Sequence, residues 1–169
     1  QRVDLVFGYD EDGSAKKPNR IAVIDDGHGM PAEMMRLAMM WGGTHREDDR
    51  EGLGRYGYGL PCAAVSIGRR FRIYSKLEGG PIYHTSMDVD ELDQGSYRTA
   101  AGDLMLPEAR PGQLPEFVEQ HIRRQYPQGW QAGTVVVLEK LDRIDWTTAL
   151  GMRTNLLRHF GVTYHKVLG

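Results

Sequence analysis

A buried-strand sequence that ends in carboxylates is the strongest constraint on this chain. Residues 21–30 read IAVIDDGHGM: four apolar residues, then Asp25 and Asp26, then Gly27 and Gly29 on either side of His28. Glycine permits positive φ and lets a neighbouring group approach where a Cβ would collide. A carboxylate at the mouth of an apolar cleft accepts a hydrogen bond from a planar amine such as the exocyclic amino group of adenine. It serves equally well as the cap of a following helix. On this stretch alone both readings stand.

The flanking periodicities organise the rest. RVDLVFGY places apolar Val3, Leu5 and Phe7 in alternation, a strand with one buried face, and the polar turn DEDGSAKKPN folds it back on IAVID as a hairpin. In PAEMMRLAMMW, Pro31 suits the first helical turn, Glu33 suits the positive end of the dipole, and Met34, Leu37, Ala38 and Trp41 share one helical face. Met34, Met35, Met39 and Met40 read as core filling. LPCAAVSIG begins a second helix, with Cys62 packed near its start, and RRFRIYSK is a strand. PIYHTSMDV and GSYRTA are further strand candidates, LPEFVEQHIRRQY an amphipathic helix, and GTVVVLEKL the clearest strand. WTTALGMRTNLLRHFG has Leu150, Leu156, Leu157 and Phe160 at nearly helical spacing, with Gly161 as C-cap. This order predicts an α/β (α+β) two-layer sandwich, a mixed and mostly antiparallel sheet covered on one face by helices, as a single domain over residues 1–169.

Two further glycine motifs bear on function. GGTHREDDREGLGRYGYG lacks apolar periodicity and reads as a long functional loop. Its end carries Gly54, Gly57 and Gly59 as G-x-x-G-x-G, with Pro61 marking a helix start. Backbone amides in such a loop, with the helix dipole, form an anion site. The same glycines serve equally well as a lid hinge. The spacing is the reverse of a dinucleotide fingerprint and follows no strand, and the Walker pattern is absent. Gly133 and Thr134 open the strongest strand, where a threonine facing a cleft can bond a base directly or through water; Gly-Thr before a strand is also very common.

Composition excludes several classes. The chain has 169 residues and a formal net charge of -2, with no overall basic footprint for nucleic acid or an anionic membrane. One cysteine, Cys62, precludes an internal disulfide and a cysteine-rich metal site, and fits an intracellular setting. The six histidines lack H-x-x-x-H spacing, so zinc is not expected, and His28 reads as a variable position between glycines. No apolar run reaches a membrane span.

Taken together, the D-x-G-x-G-M after a strand, the glycine segment ending in G-x-x-G-x-G and the later Gly-Thr strand resemble the GHKL superfamily of ATPases, named for gyrase, the heat-shock chaperone of ninety kilodaltons, histidine kinases and MutL. GRYGYGLPCAAVSIGRRFRIYSK is most similar to the chaperone, MutL and MORC-like branch. The resemblance implies a Bergerat-type ATP-binding fold with ATP/ADP and Mg²⁺ as cofactors. Asp25 would accept the adenine amino group, Thr134 would support the same edge through water, Gly27 and Gly29 would form the turn giving the base close access, and Met30 would pack on it. Gly54, Tyr56, Gly57, Tyr58 and Gly59 would wrap the phosphates, and residues 42–56 would be a lid, with Thr44, His45 and Arg46 near the phosphates. It also implies an ATP-dependent homodimer, with a protein client or DNA reached through other domains. A Glu that activates water and an Asn that holds Mg²⁺ are expected on a helix before the first motif, yet no E-x-x-x-N precedes Asp25. The chain begins without Met in strand-like sequence, so that helix is expected in a longer parent. A histidine-kinase-type domain and a non-hydrolysing nucleotide-sensing module are the alternatives.

Overall fold

A computed structural model describes residues 2–9, 17–40, 42, 58–145 and 148–163, with side chains as far as residue 159. Its elements follow in the order β1 (Val3–Gly8), β2 (Arg20–Asp25), α1 (Ala32–Met39), α2 (Gly59–Ile67), β3 (Gly68–Lys76), β4 (Ile82–Asp88), α3 (Val89–Asp93), β5 (Arg110–Pro111), α4 (Glu116–Gln125), β6 (Gly133–Leu141) and α5 (Ala149–Thr163). One sheet takes the order β1-β2-β6-β3-β4-β5, and every pairing among these strands is antiparallel. The expected sandwich is present, with a sheet at the antiparallel limit.

The last long strand in sequence lies centrally in the sheet. Both edges of β6 are hydrogen-bonded, to β2 and to β3, and both of its faces are covered. That is why Val135, Val136, Val137 and Leu138 run without polar alternation. The side-chain period of two splits the core. On one face Ile21, Phe71, Ile73 and Leu138 meet Met35 and Met39 of α1, Ala64 of α2 and Met152 of α5. On the other, Ala22, Ile24, Tyr74, Val135 and Val137 meet Val118 and Ile122 of α4, four residues apart on one helical stripe, and Trp130. The helix layer expected on one face is therefore joined by α4 on the other.

Several local expectations are corrected. Val3 and Leu5 are 66% and 36% exposed: β1 is an edge strand, and only Phe7 of that face joins the core. In α1 the inward stripe is Met35 and Met39 rather than Met34 and Leu37, and Met40 is exposed; Trp41 lies outside the described residues. Cys62 is exposed in the first turn of α2. GSYRTA is not a strand, making only an isolated bridge between Arg98 and Leu104. Gly161 lies inside α5 and is not its cap.

The departure at GSYRTA has a cause in a buried carboxylate. The Oδ1 of Asp88 accepts the Asp90 amide at 2.9 Å and so starts α3 straight after β4. Its Oδ2 pairs with Lys140 Nζ at 2.7 Å and Arg70 Nε at 3.1 Å. The Asp88 amide donates to the Tyr97 hydroxyl at 3.0 Å, and that hydroxyl donates to Glu91 at 2.8 Å. Burial pushes the Tyr97 hydroxyl up to about 12. Burial also works to raise the Asp88 carboxyl, but the hydrogen bonds from Lys140 and the Asp90 amide, with the charges of Lys140 and Arg70, outweigh it and hold the group below the ordinary carboxylate range. A depressed folded value means stability that is fully present above the unfolded pKa, near 3.9, and is lost as pH falls through the folded one. Asp88→Ala is expected to cost about 2 kcal/mol in urea unfolding at pH 7. The cost should shrink as the pH falls below the unfolded value, where the unfolded chain protonates first, and toward the lower folded value, where Asp88 itself protonates.

Candidate nucleotide site

The predicted site residues meet at one end of the sheet, where β2 and β3 finish and β6 begins. Asp25 shares the parity of Ile21 and so faces the α1–α2 side of the sheet. Thr134 faces the same way, having the parity of Val136 and Leu138, and Ser75 does so with Phe71 and Ile73. Ser75 and Thr134 are register partners. Asp25 and Thr134 stand one step beyond the last β2–β6 pair, Ile24 with Val135. A carboxylate and two hydroxyls thus form a row across three adjacent strands on one face. This placement depends on the antiparallel register, since a slip of one residue would send a whole strand's side chains to the opposite face.

The turn after Asp25 is held from several sides. Its Oδ1 accepts the Gly27 amide at 2.8 Å, the Asx geometry that aspartate favours in turns. The fully buried Ser75 hydroxyl accepts the Met30 amide at 2.7 Å and donates to the Gly133 carbonyl at 3.0 Å. From the α4 side, the Trp130 indole donates to the Asp25 carbonyl at 2.8 Å, and Lys76 Nζ donates to the Trp130 carbonyl at 3.3 Å. Gly29 has φ of +76°, and a Cβ there would lie 2.2 Å from the Lys76 carbonyl oxygen. Gly133 has φ of +139°, and its Cβ would lie 2.1 Å from the Asp25 carbonyl oxygen. Both glycines are therefore required by the close approach of three backbones, whatever ligand the site takes. A separate cavity of about 430 Å³ opens beside Asp26, Gly27 and His28 and is walled by Tyr126, Gly129 and Gln131 of the α4–β6 connection.

A family model described as "Histidine kinase-, DNA gyrase B-, and HSP90-like ATPase" matches residues 3–107. The chain belongs to this ATPase family. No curated protein matches it. The family binds ATP and ADP, so an adenine nucleotide is the ligand class of the domain. The match covers β1 to α3, and with them Asp25, Gly27, Gly29, Met30 and Ser75. The central strand β6, which brings Thr134, follows the matched span and is joined to it by the sheet.

Of the residues singled out from sequence, Asp25, Gly27, Gly29, Met30 and Thr134 come together in this ATPase domain. Tyr58 and Gly59 lie at the start of α2, beside Gly42, where a Cβ would come 3.0 Å from the Tyr58 hydroxyl. Gly54, Tyr56 and Gly57, expected at the phosphates, and residues 43–56 of the expected lid, with Thr44, His45 and Arg46, lie outside the described residues. His28 is exposed. Among the described residues no group of three His, Cys, Asp or Glu side chains is placed to hold a metal. No helix among them is long and apolar enough to cross a membrane. Sequence reasoning missed Ser75 and Trp130 as parts of the site. The only local trace of Ser75 is a small polar residue at an inward position of β3, and Trp130 sits in a loop with no periodicity.

Proposed function

We propose that residues 1–169 form one nucleotide-gated switch domain, whose adenine pocket is the Asp25–Thr134 end of the sheet and whose ATP cycle drives a conformational change and dimerisation in the intact protein. The observation that carries this reading is the side-by-side placement of Asp25 and Thr134 on one face, in a family that binds ATP. The Asp25 carboxylate accepts the adenine amino group, Thr134 supports the same edge, and the Met30 turn closes one wall. Gly54, Tyr56, Gly57, Tyr58 and Gly59 would wrap the phosphates, with residues 42–56 as the lid. The first turn of α2 has no acidic residue and no side-chain cap, which leaves its amides and dipole suited to an anion. Differential contacts to the triphosphate would close the lid, the closed lid would build the dimer interface, and hydrolysis would reopen it.

Hydrolysis is the finer part of the proposal. The water-activating Glu and the Mg²⁺-holding Asn that the family resemblance implies would have to be supplied beside the Asp25 face, where Val3 and Leu5 of β1 offer exposed apolar surface. We assign the branch to the chaperone, MutL and MORC-like group on the glycine, helix and Ser-Lys order of residues 54–76.

Thermal unfolding of the intact protein tests the pocket. ATP at a hundred times its Kd is expected to raise the Tm by about 5–10 °C. No shift at any ATP concentration would remove the assignment. Phosphate release in the same preparation separates an ATPase from a nucleotide-sensing module, and transfer of label to a protein histidine would mark the kinase alternative.

A further inference from the structure

The hydroxyl beside Thr134 has a role that depends on counting hydrogens. A serine hydroxyl has one hydrogen and two lone pairs. In Ser75 the hydrogen goes to the Gly133 carbonyl at 3.0 Å, and one lone pair takes the Met30 amide at 2.7 Å. The remaining lone pair faces the Thr134 Oγ1 at 3.4 Å. With the Ser75 hydrogen committed to the shorter bond, the hydrogen between these two oxygens belongs to Thr134. The contact is long, so it biases the Thr134 rotor without locking it. Ser75 is 0% exposed and anchored on two backbones, so its own orientation is set by the fold and not by a ligand.

We infer that Ser75 is a positioning residue that turns Thr134 into a hydrogen-bond acceptor, so that the Asp25–Thr134 edge selects a 6-amino over a 6-oxo purine nucleotide. This rests on the adenine pocket proposed above and adds the residue that sets its base preference. The Asp25 carboxylate supplies acceptors, and Thr134, with its hydrogen drawn toward Ser75, keeps its lone pairs for a ligand on the face it shares with Asp25. A 6-amino group brings two N–H donors to that edge. A 6-oxo group sets lone pairs against lone pairs at position 6, and its one added donor, N1–H, lies at the neighbouring ring position, so the acceptors facing position 6 stay unsatisfied, the kind of mismatch by which polar sites discriminate most strongly. Without Ser75, the Thr134 hydroxyl is free to rotate and donate to the 6-oxo oxygen, so the penalty relaxes.

The test compares Kd values for ATP and inosine triphosphate in the intact protein. The wild type is expected to prefer ATP by about a hundredfold or more. In Ser75→Ala that ratio is expected to fall about tenfold, chiefly through tighter relative binding of inosine triphosphate, while Ser75→Thr, which keeps the hydroxyl, restores it. Should Ser75→Ala fail to fold, Ser75→Cys supplies a weaker acceptor of similar shape, and its ratio should fall in the same direction by less. Variants that weaken both nucleotides by one factor, with the ratio unchanged, would show that Ser75 only braces the turn and would overturn the inference. A wild type that binds both nucleotides equally would overturn it while leaving the nucleotide pocket in place. A wild type that binds neither would remove both.

Discussion

ATP affinity in the intact protein is expected to fall about a hundredfold on Asp25→Asn, with thermal stability in the absence of nucleotide unchanged. The two halves of this result have separate causes. The Oδ1 of Asp25 accepts the Gly27 amide at 2.8 Å, and the carbonyl oxygen of an asparagine can keep that bond and the turn with it. The other oxygen is then replaced by an NH₂ group, which sets donor against donor where the purine amine should dock and also removes the charge that strengthens the bond. Titration calorimetry for affinity and a nucleotide-free melting curve together decide the matter. An unchanged Kd in a folded variant would end the adenine role of Asp25.

Gly29→Ala should destabilise the fold by about 3 kcal/mol or more, measured by urea unfolding without nucleotide. At φ of +76° the new side chain is strained, and its Cβ would sit 2.2 Å from a backbone oxygen of Lys76, which cannot swing aside as a flexible side chain can. Relief would require β3 to part from the Met30 turn, where the Ser75 hydroxyl bonds the Met30 amide. Gly79 is the control. It has φ of +69° but open space around it, so Gly79→Ala meets only the conformational cost of about 1 kcal/mol. Equal costs at the two positions would mean that close backbone approach is not what demands glycine at Gly29.

Much of this architecture was legible from local pattern. The hairpin of β1 and β2, the helix after the glycines, and β3, β4, α4 and β6 all follow from periodicity and turn residues, because each property is carried by neighbours in the chain. The misreadings share a cause. Val3 and Leu5 alternate like buried residues, but burial depends on what lies above the sheet, and on this edge strand only Phe7 of that face packs against the core. GSYRTA has strand-forming residues, but the capping of α3 by Asp88 and its ion pair with Lys140, fifty-two positions away in sequence, redirect the chain. A local propensity of a few tenths of a kcal/mol yields to such tertiary terms.

The candidate site divides along the same line. Asp25, Gly27 and Gly29 are conspicuous because a carboxylate and two glycines after an apolar strand already describe a strained turn. From sequence alone come the family resemblance, the acidic turn and the Gly-Thr strand, each a property of a short contiguous segment. Only the folded chain decided that Thr134 stands next to Asp25, that Ser75 completes the row, and that the Trp130 indole bonds the carbonyl of Asp25 across 105 residues. Those contacts depend on which strands become neighbours and in what register. That choice is made by the burial of two whole faces of β6, and no short stretch of sequence contains it.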